Sequence, residues 1–368
     1  MKREPGREAA IIRRRLLRWY DRNKRKLPWR GRIDPYAVLV SEVMLQQTTV
    51  AAVAPRYQDF LREFPDWRAL ARSGDDRLLA AWAGLGYYAR ARNLRAAARA
   101  IVRLRPPEFP RDRVSARSLP GIGEYTAGAV LSIAYGLPEP ALDGNVLRVL
   151  ARLDGVREPV ARTATRRRID ARVRTILSPL RAGDFNQALM DLGALVCTPS
   201  SPRCADCPLE THCVSRREGW VETIPRLAPR RDAVSLSAVV AIVRAGNRLL
   251  LVRDCSPHGG SFWECPGTVA GALRGAGPRA AGPAALRSWL RDRGVGAATE
   301  RPIGEIRHTV THRRLRIRVR ALRAPAEIRG PGLRWFTPAE LRTAPVGTIT
   351  RKALALEQET ARRGRRTA

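Results

Sequence analysis

An all-helical domain followed by a smaller α+β domain is the fold class the sequence predicts, and three observations carry it. Residues 8 to about 215 place apolar side chains at helical spacing almost throughout. Residues 219–234 (GWVETIPRLAPRRDAV) are irregular and rich in Pro and Arg, the composition of a linker. Beyond them the period becomes that of strands in SLSAVVAIVR, NRLLLVR and RLRIRVRAL, with one helical stretch, PAALRSWLRDRG, between them.

Taken in order, DPYAVLVSEVMLQQT begins a helix with Asp34 as N-cap and Pro35 at the first helical position. Further helices are expected over 49–63, 87–104, 124–135, 145–153, 159–178 and 184–196. The expected organisation is a helical domain at 1–218, a linker at 219–234, an α+β domain at 235–360 and a basic tail at 361–368. That tail, ARRGRRTA, reads as disordered. No internal repeat is visible.

The 368-residue chain carries a net charge of +34, which points to a polyanionic partner. Lysine stands only at Lys2, Lys24, Lys26 and Lys352, so the charge is arginine, a skew that GC-rich codon usage also produces. No apolar run approaches the roughly 20 residues that span a bilayer, and the first residues lack a signal-peptide stretch. A soluble, cytoplasmic monomer is expected, nucleoid-associated if the source is bacterial.

Cys197, Cys204, Cys207 and Cys213 follow one another as C-x6-C-x2-C-x5-C at the end of a helical run, FNQALMDLGALVC. Four thiolates so crowded can ligate a [4Fe–4S] cluster or a structural zinc. Zinc usually takes two close pairs and only Cys204/Cys207 is one, so the spacing favours the cluster. Cys255 and Cys265 read as small buried apolar residues.

LPGIGEYTAGAVLSIAYG (119–136) reads as a hairpin followed by a helix. Gly121 and Gly123 let the backbone approach a ligand, and the amides opening the helix can hold a phosphate; a plain turn has the same signature. Two carboxylates stand out. Val38 and Leu45 share a helical face with Glu42, so its carboxyl is expected in apolar surroundings that raise its pKa, as suits a general acid. Asn145 is expected to cap the helix after LDGN and to leave Asp143 at its N-terminus, where the dipole favours the ionised form. Taken singly, a core Glu and a D-G turn are the simpler readings. Together, two carboxyl groups with pKa values pushed apart form an acid paired with an ionised stabiliser.

The cysteine spacing and the hairpin resemble those of the endonuclease III superfamily of DNA glycosylases. SEVMLQQT, GLGYYARARNL, LPGIGEYTAGAV, LDGNV and FNQALMDLGALVCT resemble, in order, the motifs of MutY-type adenine DNA glycosylases. The resemblance implies a helix-hairpin-helix glycosylase domain (hairpin about 113–136) with a [4Fe–4S] loop at 197–213. It also implies removal of adenine mispaired with 8-oxoguanine or guanine in double-stranded DNA. In that likeness Glu42 protonates the adenine and later activates water, Asp143 stabilises or captures the sugar cation, and Asn145 assists. Arg25, Leu27 and Trp29 resemble pocket-lining residues. Gln47, Thr48, Leu85 and Tyr87 resemble those that wedge beside or touch the opposing base, with core packing as the other reading of Leu85 and Tyr87. Arg203 is expected at phosphate.

Tyr125 stands where bifunctional relatives carry the lysine that forms a Schiff base, and a phenol cannot form an imine. The resemblance therefore implies a monofunctional enzyme, with a pyrimidine-lesion glycosylase/lyase as the rival. FWECPGTVAGAL and AALRSWLRDRGVG resemble a Nudix domain. Ser288 and Arg291 stand at glutamate positions of its metal-binding helix, leaving Asp292, so a nucleotide pyrophosphatase is disfavoured. HTVTH resembles the Phe-Ser-His loop that reads 8-oxoguanine, with Thr311 keeping a hydroxyl in place of the serine, His312 keeping the ring and Val310 replacing the aromatic residue. A non-catalytic DNA-binding module is the remaining rival, disfavoured because a pure binder needs neither Glu42 nor Asp143.

Overall fold

The structure, a computed structural model, describes residues 5–226, 232–253, 262–269, 283–292, 300–310 and 312–366. The chain divides into two compact units, Met1–Ser73 with Gly84–Pro229, and Gly74–Ala83 with Arg230–Ala368. Among the described residues no helix is long and apolar enough to cross a membrane.

The helices run α1 Pro5–Asn23, α2 Pro35–Leu45, α3 Val50–Glu63, α4 Trp67–Arg72, α5 Asp75–Ala81, α6 Ala89–Val102, α7 Arg113–Ser118, α8 Glu124–Tyr135, α9 Gly144–Leu153, α10 Thr163–Ile176, α11 Ala182–Leu195 and α12 Val214–Arg217. All but α5 belong to the first unit. As expected, Asp34 caps α2, its carboxylate accepting from the Tyr36 and Ala37 amides with Pro35 at the start. Every residue from Tyr36 to Met44 is buried. A helix apolar on all sides lies inside a core rather than on it, and here it carries Glu42 inside with it. Leu16 of α1, Leu150 of α9, Val173 of α10 and Phe185 and Leu189 of α11 form the neighbouring core.

Small residues let α8 press close against its surroundings. A Cβ on Gly128 would stand 1.9 Å from the Pro140 carbonyl oxygen, and one on Gly183 would stand 2.7 Å from that of Ser132. Asn186, fully buried on α11, pins the same place. Its amide donates to Ser132 Oγ and the Glu139 carbonyl (both 2.8 Å), and its oxygen accepts from the Ala141 amide. The segment leading into Asp143 is thereby held on both sides.

The second unit is a five-stranded sheet ordered β3-β4-β1-β2-β5, with β1 Val234–Ala245, β2 Arg248–Val252, β3 Glu300–Val310, β4 Arg313–Arg323 and β5 Leu333–Phe336. β1 runs parallel to β4, and the other pairs are antiparallel. β1 is buried on both faces. Ala238, Val240 and Ile242 face one apolar cluster, while Val239, Ala241 and Val243 face another with Leu286 and Leu290 of α13 (Pro283–Arg291). Helices α14 (Pro338–Thr343) and α15 (Thr348–Arg366) follow, and α15 packs on β3 and β1.

The sequence reading missed β3, whose alternation is broken by Pro302 and by a register shift between Pro302 and Gly304. The disordered tail expected at 361–368 is corrected: α15 continues to Arg366, helped by an i,i+4 Glu359–Arg363 ion pair at 2.6 Å. Residues 227–231 of the expected linker, and Cys255, lie outside the described residues. Cys265 is buried, as expected.

Gly128→Ala is expected to cost about 2 kcal/mol, because the new methyl meets backbone rather than a movable side chain. An unchanged thermal unfolding midpoint would show that the Pro140 segment moves away freely.

Candidate active site

A cleft of about 1230 Å³ opens in the helical unit. Glu42, Tyr125, Asp143 and Asn145 all line it, as do Arg25, Leu27, Trp29, Gln47, Thr48, Gly121 and Gly123. Residues spread over 120 positions of sequence thus meet in one place.

Glu42 is only 6% exposed. Burial pushes its carboxyl above the usual range; the Tyr125 bond and the Arg30 charge oppose the shift, and the charge of Asp143 adds to it. Tyr125, half-buried, donates its phenolic hydrogen to Glu42 Oε2. Burial and the adjacent Glu42 drive that phenol well above its ordinary value, so it remains a donor.

The Asp143 expectation needs two corrections. Asp143 itself, and not Asn145, is the N-cap of α9: its Oδ1 accepts from the Val146 amide at 2.7 Å. Asn145 lies in the first turn and donates its Nδ2 to Asp143 Oδ2 at 2.8 Å. The Asp143 carboxyl is also raised and not lowered, because its burial outweighs the donors at the helix end. The two carboxyl groups therefore differ less in pKa direction than in what holds them. A single phenol serves Glu42, whereas a donor reaches each oxygen of Asp143.

The site contains residues the sequence reading passed over. Asp191, fully buried on α11, accepts from the Arg25 backbone and Nε and from Arg30, which it meets at 2.8 Å. Arg30 also donates to Gln187 Oε1 and Tyr20 Oη. This ion-pair group fixes the wall that includes Leu27 and Trp29, the latter packed edge-on to Tyr57. The available signal is one acid in an otherwise apolar segment of α11, ALMDLGALV. Arg148 was also missed. It donates to Asn145 Oδ1 and to the Gly193 and Cys197 carbonyls, joining the Asp143 end of α9 to the first cysteine.

Gln47 lines the cleft, whereas Leu85 and Tyr87 are not among its lining residues. Gln47 and Tyr87 both adopt left-handed backbone (φ 54° and 46°), which side-chain-bearing residues seldom take. Tyr87 is half exposed, whereas Leu85 is 4% exposed. In the DNA-free protein the Leu85 side chain therefore packs inside, while that of Tyr87 reaches the surface. Thr48 Oγ1 donates to the Leu85 carbonyl at 3.1 Å. Gly121 (φ 76°) allows the close pass of Asn93, and Gly123 caps α8 with no side-chain acceptor.

The four cysteines are free thiols, and all four line one small cavity with Arg152 and Arg203. Arg152, 2% exposed, donates to Cys197 Sγ (3.4 Å) and to the Thr198, Pro199 and Ile224 carbonyls, so a cation faces the thiols. Arg203 donates to the Leu195 carbonyl, and its side chain is otherwise exposed. Among the described residues no group of His, Cys, Asp or Glu is arranged as a ready single-ion site.

In the sheet unit, Val310 and His312 flank the turn between β3 and β4, and Thr311 lies outside the described residues. Val310 packs against the apolar core, and the His312 carbonyl accepts from the Val234 amide. On α13 the side chains of Arg287 and Ser288 are exposed, as are Arg291 and Asp292 at its end.

Residues 40–174 match the HhH-GPD superfamily of base excision DNA repair proteins, and residues 238–356 match the NUDIX domain. The class is thus a helix-hairpin-helix base excision protein with an appended Nudix-type domain. The helical unit is similar to a solved thermostable thymine-DNA glycosylase (TM-score 0.53, 26% identity, 58% of this chain and 98% of that one). The adenine DNA glycosylase of Homo sapiens is 33% identical over 95% of this chain and 74% of its own length. That of Schizosaccharomyces pombe is 38% identical over 57% and 50%. The chain belongs to the adenine DNA glycosylase family.

The raised pKa of Glu42 has a stability consequence whose sign is fixed. Its folded value lies above the unfolded one, so stability present at low pH is lost as pH rises through the folded value. Glu42→Gln is therefore expected to raise the melting temperature at neutral pH. The gain should vanish below about pH 4, where both states hold the proton. Calorimetry that found no gain at either pH would mean the carboxylate is well solvated.

Proposed function

We propose that the protein is a monofunctional DNA glycosylase that hydrolyses the N-glycosidic bond of adenine mispaired with 8-oxoguanine or guanine. The observation that carries this reading is the meeting of Glu42, Tyr125 and Asp143 in one cleft of a helical unit. Double-stranded DNA is the partner, and the net charge of +34 favours it. To enter the cleft the adenosine must leave the duplex stack.

In this reading Glu42 gives its proton to adenine N7, the C1′–N9 bond breaks and the adenine departs neutral. Asp143 meets the positive charge at C1′ and captures it covalently. Water then adds at C1′ from the side the base left, losing its proton to Glu42 and releasing Asp143, so configuration is retained. Tyr125 steadies Glu42 by donating to it, and its own proton is too tightly held to be the acid. Asn145 and the Val146 amide orient Asp143. Arg25, Leu27 and Trp29 wall the base pocket, while Gln47, Thr48 and Tyr87 face the opposing base.

Cys197, Cys204, Cys207 and Cys213 would hold a [4Fe–4S] cluster, and the shared cavity and the Arg152 guanidinium fit four thiolates. When bound, the cluster supplies a rigid anchor for the loop bearing Arg203, which is positioned for a phosphate. The Nudix-type unit reads 8-oxoguanine through Thr311 and His312. Exposed Ser288 and Arg291 on its helix favour reading over metal-dependent hydrolysis.

Single-turnover cleavage of a labelled duplex with one A·8-oxoguanine pair tests this. Strand breaks at the adenine are expected only after hot alkali, and fastest opposite 8-oxoguanine. Breaks without alkali on a thymine-glycol duplex would place the protein among the lyases. Glu42→Gln should slow adenine release by about 100-fold or more while mismatch binding persists. Tyr125→Lys should gain a borohydride-trappable adduct, and its absence counts against the monofunctional reading of Tyr125. Thr311→Ala with His312→Ala should narrow the preference for 8-oxoguanine over guanine, and an unchanged ratio would remove that turn from recognition.

A further inference from the structure

Arg90, the second residue of α6, has no part in the chemistry above, yet it is 8% exposed and lies at the centre of a dense polar group. Its Nη1 donates to the carbonyls of Val43 (2.8 Å), Met44 (2.9 Å) and Gln46. Its Nη2 donates to Thr48 Oγ1 (2.9 Å) and to the carbonyls of Leu85 (2.9 Å) and Gly86 (3.0 Å). The guanidinium also stands 5.7 Å from the centre of the Tyr87 ring.

These acceptors come from two separate pieces of chain, 43–48 and 85–86. Val43 and Met44 belong to the last turn of α2, where carbonyls lack intrahelical partners, and they directly follow Glu42. Gln46 and Thr48 bracket the left-handed Gln47, while Leu85 and Gly86 precede the left-handed Tyr87. Left-handed backbone at residues other than glycine persists only where its surroundings hold it. One planar, forked cation does so for both turns at once, and lysine, a point donor, cannot span them.

We propose that Arg90 is a positioning residue that ties the Gln47 turn and the Tyr87 turn to each other and to the helix carrying Glu42. Through this tie the base opposite the adenine sets the rate of adenine release. The second statement rests on the reading above that Gln47, Thr48 and Tyr87 face that base. The tie itself rests on geometry alone.

The test uses the full chain as wild type, Arg90→Lys and Arg90→Gln, with two readouts. In hydrogen exchange of the DNA-free protein, peptides covering 43–48 and 85–88 should lose protection together, with α9 and α11 unchanged. Loosening of one turn only, or of neither, overturns the tie. Thr48→Val removes just the hydroxyl between the turns and should loosen the same two peptides, so poor folding of an Arg90 variant leaves the question decidable. In single turnover, the ratio of adenine release from A·8-oxoguanine over A·G duplexes should fall about tenfold in Arg90→Lys. Both rates falling by a common factor, with the ratio kept, would make Arg90 merely structural. If the wild type releases no adenine, the functional reading fails while the exchange result still decides the tie.

Discussion

The hydrogen bond from Tyr125 to Glu42 sits where few polar bonds are tolerated, inside a helix buried on every side. An ionised carboxylate there lacks water and costs several kcal/mol. The group keeps its proton or relies on the one phenol that reaches it. Much of the surrounding architecture serves this arrangement: Asp34 and Pro35 start α2 at a fixed place, and Gly128 and Asn186 bring α8, with Tyr125 on it, hard against the core. A carboxyl so placed is poor for stability and suited to proton donation, the usual exchange at a catalytic centre.

Asp143 is the counterpart built by opposite means. It is half-buried, and each oxygen receives a donor, from the Val146 amide and from Asn145, which is itself held by Arg148. Arg148 also reaches the Cys197 carbonyl, and Arg152, one helical turn on, reaches the Cys197 thiol. The cysteine loop and the capping carboxylate thus share one helix, α9. Disturbance of the loop has a short covalent and hydrogen-bonded route to Asp143.

How much of this was legible beforehand depended on whether a local pattern recorded it. The helix around Glu42, its cap, the Gly-punctuated hairpin and the cysteine spacing all leave short-range signatures, and the structure places Glu42, Tyr125 and Asp143 together. Asp191 leaves only a lone acid in an apolar segment, and Arg30 and Arg90 leave none, because the bonds that matter most reach across 40 or more positions to backbone carbonyls or to a single distant acid. The direction of the Asp143 shift was misjudged for a related reason. A helix N-terminus is visible in sequence, but the burial that outweighs it is not. Leu85 was ambiguous because an apolar residue beside two glycines suits a wedge or a core equally. β3 hid behind Pro302 and Gly304.

The most direct measurement is the protonation state of the Glu42 carboxyl in the free protein, read as an infrared difference between wild type and Glu42→Gln. As pH is raised, a protonated-carboxyl stretch absent from the variant should survive in the wild type past the range of ordinary glutamates, and it should persist to still higher pH once the hydroxyl that favours the ionised form is removed in Tyr125→Phe. A wild-type stretch that disappears within or below the ordinary glutamate range would mean that burial does not hold the proton on Glu42. The buried-acid account of the site would then be wrong.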